Sequence, residues 1–240
     1  MTKLGVNIDH VATLRQQRKI DFPSVIEVAK IIKSVGVNQI TVHLREDRRH
    51  IQDSDVVELK KIKGLKLNLE MSVNEEIVKF ALNTKPDEVC LVPEKRQELT
   101  TEGGLDLKRN FKRIKNVVSR LKSAGICVSL FIEPTFESVK LSKKLEADAV
   151  ELHTGRYSLC KIGSKQYKEE LKRIVETSKF VVYNGLILNA GHGLNYDNVK
   201  PIAKIYGMET LNIGFSIIAR AIFVGIKQAV LEMKKLVCDL

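Results

Sequence analysis

Apolar residues along this chain gather into eight short runs, and each run ends in a residue able to do chemistry. Leu4-Gly-Val-Asn-Ile8 leads into Asp9-His10, and Gln39-Ile-Thr-Val42 into His43-Leu-Arg45. Leu65-Lys-Leu-Asn-Leu69 stops at Glu70, and Glu88-Val-Cys-Leu-Val92 at Pro93-Glu94. Ile126-Cys-Val-Ser-Leu-Phe-Ile132 meets Glu133, and Ala147-Asp-Ala-Val150 meets Glu151-Leu-His153. Leu186-Ile-Leu188 opens into Asn189-Ala-Gly-His-Gly193, and Glu209-Thr-Leu211 into Asn212-Ile-Gly214. Runs this short read as strands. A binding protein has no need of an acid, base or amide at the same end of every strand, whereas an enzyme built on a ring of parallel strands does.

Helical signals fill the gaps. Pro23 suits the first turn of a helix that buries Val25, Ile26, Val28, Ala29, Ile31 and Ile32, with Gly36 closing it. Ser54 or Asp55 is placed to cap Val56 to Ile62, and Asn74 to cap Glu75 to Leu82. Further helices are expected near 105–124, 135–146, 164–182, 196–206 and 215–236. Parallel neighbours need long crossovers, so this alternation predicts parallel strands. Eight such units in 240 residues predict one (β/α)8 TIM barrel domain over residues 1–240, with extra helices. An open doubly wound sheet is the alternative, but the chain lacks G-x-G-x-x-G after its first strand. In a barrel the active site lies at the carboxyl ends of the strands, where the chemically capable residues fall.

Composition adds limits. Lys and Arg number 40 against 29 Asp and Glu, a formal net charge of +11. That balance suits nucleic acid or small anionic substrates equally. Much of the surplus lies between Leu105 and Ala124, at spacing that predicts the solvated face of an amphipathic helix rather than a nucleic-acid groove. Cys90, Cys127, Cys160 and Cys238 are scattered, without metal-ligand spacing, as expected in a reducing cytosol. The first residues enter a strand at once, which argues against a signal peptide. Arg220 and Lys227 interrupt the most apolar late stretch, so a packed helix is expected there, not a membrane span. A cytoplasmic protein follows.

Period-two alternation sets Asn7 with Asp9, His43 with Arg45, and Glu151 with His153. Each also has a structural reading: amides satisfying backbone, carboxylates in ion pairs, Glu70 bridged to Arg45. Glu70 ends an apolar strand, where desolvation raises a carboxyl pKa towards neutrality. His43 and His192 are the imidazoles best placed for proton transfer. Arg45-Glu-Asp-Arg-Arg-His50 is basic enough to hold a phosphate, and Arg15 and Arg18 are candidate second contacts. Glycines on both sides of His192 let backbone N–H groups approach an anion, as does Gly214 after the eighth strand. Thr100-Thr-Glu-Gly-Gly104 offers hydroxyls and a glycine hinge for a loop closing over substrate. Nothing forces a metal set on Asp9, His10, Glu46, Asp47 and His50. No Lys stands at a strand end to form a Schiff base.

Five ordered blocks carry a resemblance: 4–15, 40–51, 89–96, 98–106 and 189–196. Among them are Asn-Ile-Asp-His10, Val-His-Leu-Arg45, Val-Pro-Glu94 and Asn189-Ala-Gly-His-Gly-Leu-Asn-Tyr196. They resemble the pyridoxine 5′-phosphate synthase family over nearly the whole chain. The resemblance implies a (β/α)8 barrel forming homo-oligomers, octamers in that family, with no organic cofactor. It implies condensation of 1-deoxy-D-xylulose 5-phosphate with 3-amino-2-oxopropyl phosphate, releasing phosphate and water. By that resemblance His43 and Glu70 are the acid–base pair, His192 the proton donor and Glu151 the transition-state stabiliser. Asn7, Asp9, His10, Arg18, Arg45, His50, Thr100, Gly193, Gly214 and position 215 match substrate contacts. Phe215 stands where family members often carry His, so only its backbone N–H remains able to bind phosphate there. Two other readings are open: another sugar-phosphate barrel, such as an epimerase or aldolase-like lyase, and a basic nucleic-acid-binding barrel without catalysis.

Overall fold

The computed structural model describes residues 1–94 and 103–238. Eight parallel strands close into a barrel in sequence order: β1 Lys3–Asn7, β2 Gln39–His43, β3 Lys66–Met71, β4 Glu88–Leu91, β5 Cys127–Ile132, β6 Ala149–His153, β7 Ile187–Gly191 and β8 Met208–Ile213. β8 returns to β1, with Lys3 opposite Thr210 and Val6 opposite Ile213. The helices are α1 Asp9–Gln16, α2 Val25–Ser34, α3 Asp53–Lys60, α4 Glu75–Thr84, α5 Phe111–Ser123 and α6 Phe136–Lys144. They continue as α7 Gly155–Leu159, α8 Lys165–Tyr183, α9 Val199–Ala203, α10 Phe215–Val224 and α11 Ile226–Cys238. The (β/α)8 expectation holds.

Strand alternation divides the barrel into two environments. Leu4, Val6, Ile40, Val42, Leu67, Leu69, Val150, Leu152, Leu211 and Ile213 face outward and join the helices in one apolar core. Their neighbours in sequence turn inward and are largely polar: Thr41, Asn68, Ser129, Glu151, Asn189 and Asn212 are all buried. Barrel interiors of this class are commonly packed with branched apolar side chains. Here hydrogen bonds replace much of that packing. Asn212 Oδ1 accepts from Thr41 Oγ1 at 3.0 Å and from Gln39 Nε2 at 3.3 Å, and Asn68 Nδ2 donates to Thr41 at 3.2 Å.

Several element boundaries depart from the sequence reading. Asp9 opens α1 instead of extending the first strand. Its N–H donates to Asn7 Oδ1 at 2.9 Å, turning the chain sharply, and an acid suits a helix N-terminus. Asn7 and Asp9 still meet, because Asn7 Nδ2 donates to Asp9 Oδ2 at 2.9 Å. Pro23 precedes α2, whose cap is Ser24. The cap of α3 is Gln52, with Asp55 in the first turn accepting its N–H at 2.8 Å. Asn74 caps α4 as expected. The 105–124 helix begins only at Phe111, the 196–206 helix shrinks to α9, and Gly225, with φ at +78°, splits the last helix in two. α5 does show the expected solvated basic face. It buries Ile114, Val117, Val118 and Leu121, while Arg120, Lys115 and Lys122 pair with Glu75, Glu146 and Asp148.

Arg15 corrects another expectation. Instead of awaiting an anion, its guanidinium grips Asp55 with two bonds of 2.7 Å and donates to the His50 carbonyl at 3.1 Å. Both side chains are buried, so this pair ties α1 to α3 and to the loop after β2. Removing one partner of a buried pair strands the other charge. Asp55→Ala should therefore lose about 3–5 kcal/mol of stability. Urea unfolding is the measurement, and a loss under about 1 kcal/mol would show that the pair holds nothing together.

Candidate active site

The carboxyl ends of the strands bring the catalytic candidates to one mouth. His43 and Glu70 are opposite partners in the β2–β3 register, and Glu151 sits opposite Asn189 across β6–β7. Glu70 contacts Asn7 and lies within the fields of Glu151 and Asp9. Burial, then repulsion by Glu151 and Asp9, raises its pKa well above the ordinary carboxylate range, against a lowering hydrogen bond from Asn7. Burial also lifts Glu151, to about 7, although Asn212 Nδ2 donates to its Oε2 at 2.7 Å. Two buried carboxyls that repel one another cannot both ionise easily. The Cys90 thiol lies 3.9 Å from Glu151 Oε2, and burial keeps it protonated. Deeper in the lumen, burial raises Glu88 to about 7 as well, where Asn189 Nδ2 donates to it at 3.2 Å. Glu88 faces a cavity of about 850 Å³ at the opposite end of the barrel, which Lys3, Lys66, Asn68 and Lys234 also line.

The imidazoles are held as differently as the carboxyls. The His43 backbone N–H donates to Asp9 Oδ1 at 2.8 Å, and its Nε2 stands 3.7 Å from Glu94. Burial alone would raise Glu94, but its contacts with His43, the Glu46 N–H and Arg45 bring it below the ordinary range. His50 Nδ1 accepts the Ile51 N–H at 2.8 Å, which leaves its Nε2 as the proton-bearing nitrogen. Burial lowers the pKa of His50. His192 is pushed down to about 4, by burial first and by His153 second, so the free protein holds it as a neutral imidazole at physiological pH. His10 has a buried Nδ1 without a hydrogen-bond partner, and its ring meets Phe215 edge-on at 5.3 Å. Phe215 thus packs on a mouth residue instead of offering a donor.

Two glycines prove sterically necessary. A Cβ on Gly214 would lie 2.9 Å from Asn7, and one on Gly191 would lie 2.2 Å from Glu151 Oε1. Gly193, at φ +80°, faces Ser158, so its substitution would strain the backbone as well as block an anion.

Arg45 is buried at this mouth, with Nε 3.6 Å from Asp47 and 3.7 Å from Glu94. Among the described residues it pairs with Asp47 and Glu94, where the sequence had offered a bridge to Glu70. Arg18 is exposed beyond α1 and is not drawn into the cluster. Thr100 lies outside the described residues. Gly104, offered as part of a hinge, packs closely against the end of β5: a Cβ there would lie 2.3 Å from the Glu133 nitrogen. Among the described residues no group of three His, Cys, Asp or Glu is disposed to hold a metal ion. Of the metal candidates, Asp47 binds Arg49, and Glu46 accepts from Ser72.

Sequence reasoning noted Glu94, Glu133 and His153 as strand-end residues but gave them no role at the site. Glu94 contacts His43, while Glu133 bonds His153 beside His192. Their position was legible; their pairing required the barrel.

A closed parallel barrel with carboxyls and imidazoles at the carboxyl ends of its strands puts the chain in the class of (β/α)8-barrel enzymes. Comparison with known proteins narrows the class. Residues 4–239 match the family model described as pyridoxal phosphate biosynthesis protein PdxJ, and the chain belongs to that family. It is 54% identical to a pyridoxine 5′-phosphate synthase of Prochlorococcus marinus strain MIT 9312, and 52% to that of P. marinus subsp. pastoris, each over 99% of both chains. Among solved structures it is similar to a tryptophan synthase α-subunit from Pyrococcus furiosus, with a TM-score of 0.64 at 12% identity, covering 98% of this chain and 97% of that one. It is also similar to a phosphoribosylanthranilate isomerase from Thermotoga maritima, with a TM-score of 0.59 at 13% identity over 100% of both chains. Those two likenesses show the fold alone.

The crowded carboxyls make a testable cost. A carboxyl whose pKa rises on folding binds its proton more tightly in the native state. The resulting stability is present below the unfolded pKa and is lost as pH climbs through the folded one. Glu70→Gln removes one charge from the pair. The variant should gain on the parent by about 1 kcal/mol or more between pH 5 and pH 8, since one pKa unit corresponds to about 1.4 kcal/mol. Denaturation at the two pH values measures this, and a gap that stays constant would contradict the coupling.

Proposed function

We propose that this chain is a pyridoxine 5′-phosphate synthase. It joins 1-deoxy-D-xylulose 5-phosphate to 3-amino-2-oxopropyl phosphate and releases inorganic phosphate and water. The observation that carries this reading is that His43, Glu70, Glu151 and His192 all fall towards the carboxyl ends of the strands of one closed barrel in a member of the PdxJ family. One substrate brings the amine and the other the ketone, so the imine forms between substrates and no organic cofactor is needed. Each later step moves a proton: imine formation expels water, enolisation prepares the carbon–carbon bond, and aromatisation completes the ring.

Glu70, whose pKa is raised well above the ordinary carboxylate range by burial and then by Glu151, gives and recovers a proton at the reacting carbons, with His43 as its partner. Glu151, anchored by Asn212, stabilises charge as it develops. His192 is neutral in the free protein; a bound phosphate dianion would favour its imidazolium, so substrate itself arms the proton donor. Asn7 and Asp9 form one hydrogen-bonded unit that orients the substrates, with His10 beside them. Arg45, His50, Gly193, Gly214 and the backbone N–H of Phe215, at the start of α10, supply anion contacts. Arg18 and Thr100 complete the set carried over from the family resemblance. Closure of residues 100–104 over substrate is an expectation from the sequence; residues 100–102 lie outside the described residues.

The protein is read as cytoplasmic; among the described residues no helix is long and apolar enough to cross a membrane. It is read as a homo-oligomer. Leu14, Ile20, Phe22, Phe215, Ile222 and Phe223 are all exposed on or beside α1 and α10, helices that pack together, and a second copy of this chain would cover them. Replacing Phe22 and Phe223 together by Ser should yield smaller species in sedimentation velocity, while an unchanged assembly would move the interface elsewhere.

Purified protein mixed with the two phosphate substrates should form pyridoxine 5′-phosphate, detected chromatographically. Glu70→Gln and His192→Asn should each cut turnover by about 10²–10⁴-fold while remaining folded. No product from the unaltered protein would end the reading, and near-normal turnover in either variant would remove that residue from the mechanism.

A further inference from the structure

Behind His192 stands a pair of side chains that the reaction scheme above leaves unused. Glu133 follows β5 and His153 ends β6, and His153 Nδ1 lies 2.7 Å from Glu133 Oε1. The hydrogen bond to His153 holds Glu133 down at about 2, beyond the opposing effect of burial, so it is an ionised acceptor. His153 Nδ1 therefore carries a proton, and Nε2 is the nitrogen left to face the site. That Nε2 is buried without a hydrogen-bond partner, and His153 as a whole is only 7% exposed.

Its direction is set by two neighbours. A Cβ on Gly155 would lie 2.4 Å from His153 Nε2 and 3.1 Å from His192 Cδ2, so the bare glycine leaves room for both rings. The rings meet edge to face at 4.9 Å, with Phe131 5.2 Å from His153 and 6.4 Å from His192. The same short segment holds the His192 backbone. Thr154 Oγ1 donates to the His192 carbonyl at 2.6 Å and to the Gly191 carbonyl at 2.8 Å. His192 needs such a hold, because its φ of +79° is unusual for a residue with a side chain.

We propose that Glu133 and His153 form an orienting dyad that fixes the His192 imidazole in the mouth, which makes both of them positioning residues for the reaction. The inference rests on the reading of this mouth as a pyridoxine 5′-phosphate synthase site. Glu133 Oε1 also accepts the Gly104 N–H at 3.2 Å, and Arg173 approaches Oε2 at 3.5 Å, so the carboxylate is itself braced from two sides. An imidazole oriented by a carboxylate keeps one tautomer, and the ring packed on it inherits that order. The charged and titratable groups facing the pair are Arg156 from α7, Arg173 from α8 and His192 after β7.

The test has one readout that needs no substrate. Imidazole titration by NMR in the intact protein should move His192 upward from about 4 in His153→Gln, because a repelling neighbour is gone. Both variants should lose about 10–100-fold in kcat while KM changes little, as when the partner orienting an imidazole is removed. Glu133→Gln, whose amide oxygen still accepts the Nδ1 proton, should retain more activity than Glu133→Leu. If His153→Gln fails to fold, the Glu133 variants carry the test. Unmoved histidine titrations with normal turnover in the folded variants would overturn the dyad. Absence of product from the unaltered protein would instead overturn the reaction assignment and leave the titration result standing.

Discussion

The arrangement depends on a barrel lumen that is polar and yet buried. Thr41, Asn68, Ser129, Asn189 and Asn212 are all buried inside it, and such groups are costly unless bonded. Asn212 answers for several at once: its oxygen accepts from Thr41 and Gln39, and its amide donates to Glu151. That chain orients a carboxylate that would otherwise avoid the site. The same burial lifts Glu70 and Glu151 out of the ordinary acid range. An apolar lumen would pack more simply but could not keep two acids both oriented and partly protonated. The fold thus gives up some packing energy to hold protons where the strands end.

The outer half of the barrel follows a different rule, and the contrast explains how much could be read beforehand. Outward residues such as Val6, Val42, Leu69 and Leu152 obey plain period-two burial, so all eight strands were visible as apolar runs. The strand ends were equally visible, and the structure brings Asn7, His43, Glu70, Glu151 and His192 to one end of the barrel. Local turns were harder. α1 depends on the Asn7 side chain capturing the Asp9 N–H, and α7 is a single short helix after His153, so neither leaves a repeating pattern. Arg15 looked available because its partner, Asp55, lies 40 residues away. Glu133 and His153 stand 20 residues apart on adjacent strands. A single sequence shows that each ends a strand, but register and loop geometry decide which ends touch.

Glycine marks where side chains and backbone come closest. Gly191 and Gly214 are constrained by crowding, since a methyl group would collide with Glu151 or Asn7. Gly193 is constrained by both φ and crowding. Between Gly191 and Gly193, His192 takes a left-handed conformation with a full side chain, and the 153–155 segment contacts both its ring and its carbonyl. Strain of this kind persists only where the surroundings over-determine it.

The resting mouth also has a definite charge logic. Burial keeps His192 and His50 towards the neutral form, and the Glu70–Glu151 pair retains a proton, so the titratable groups at the centre carry less charge than their number suggests. Charge is instead carried at the edge, by Arg45 with Asp47 and Glu94, and by Glu133 beside Arg173. In the proposed reaction both substrates arrive as phosphate anions. Their approach would shift the neutral imidazoles towards the protonated form and make a second ionised carboxyl still less favourable. Binding would then load the donors that the chemistry consumes. A mouth that was fully ionised at rest would have to discharge before it could act, whereas this one needs only its substrates to become an acid.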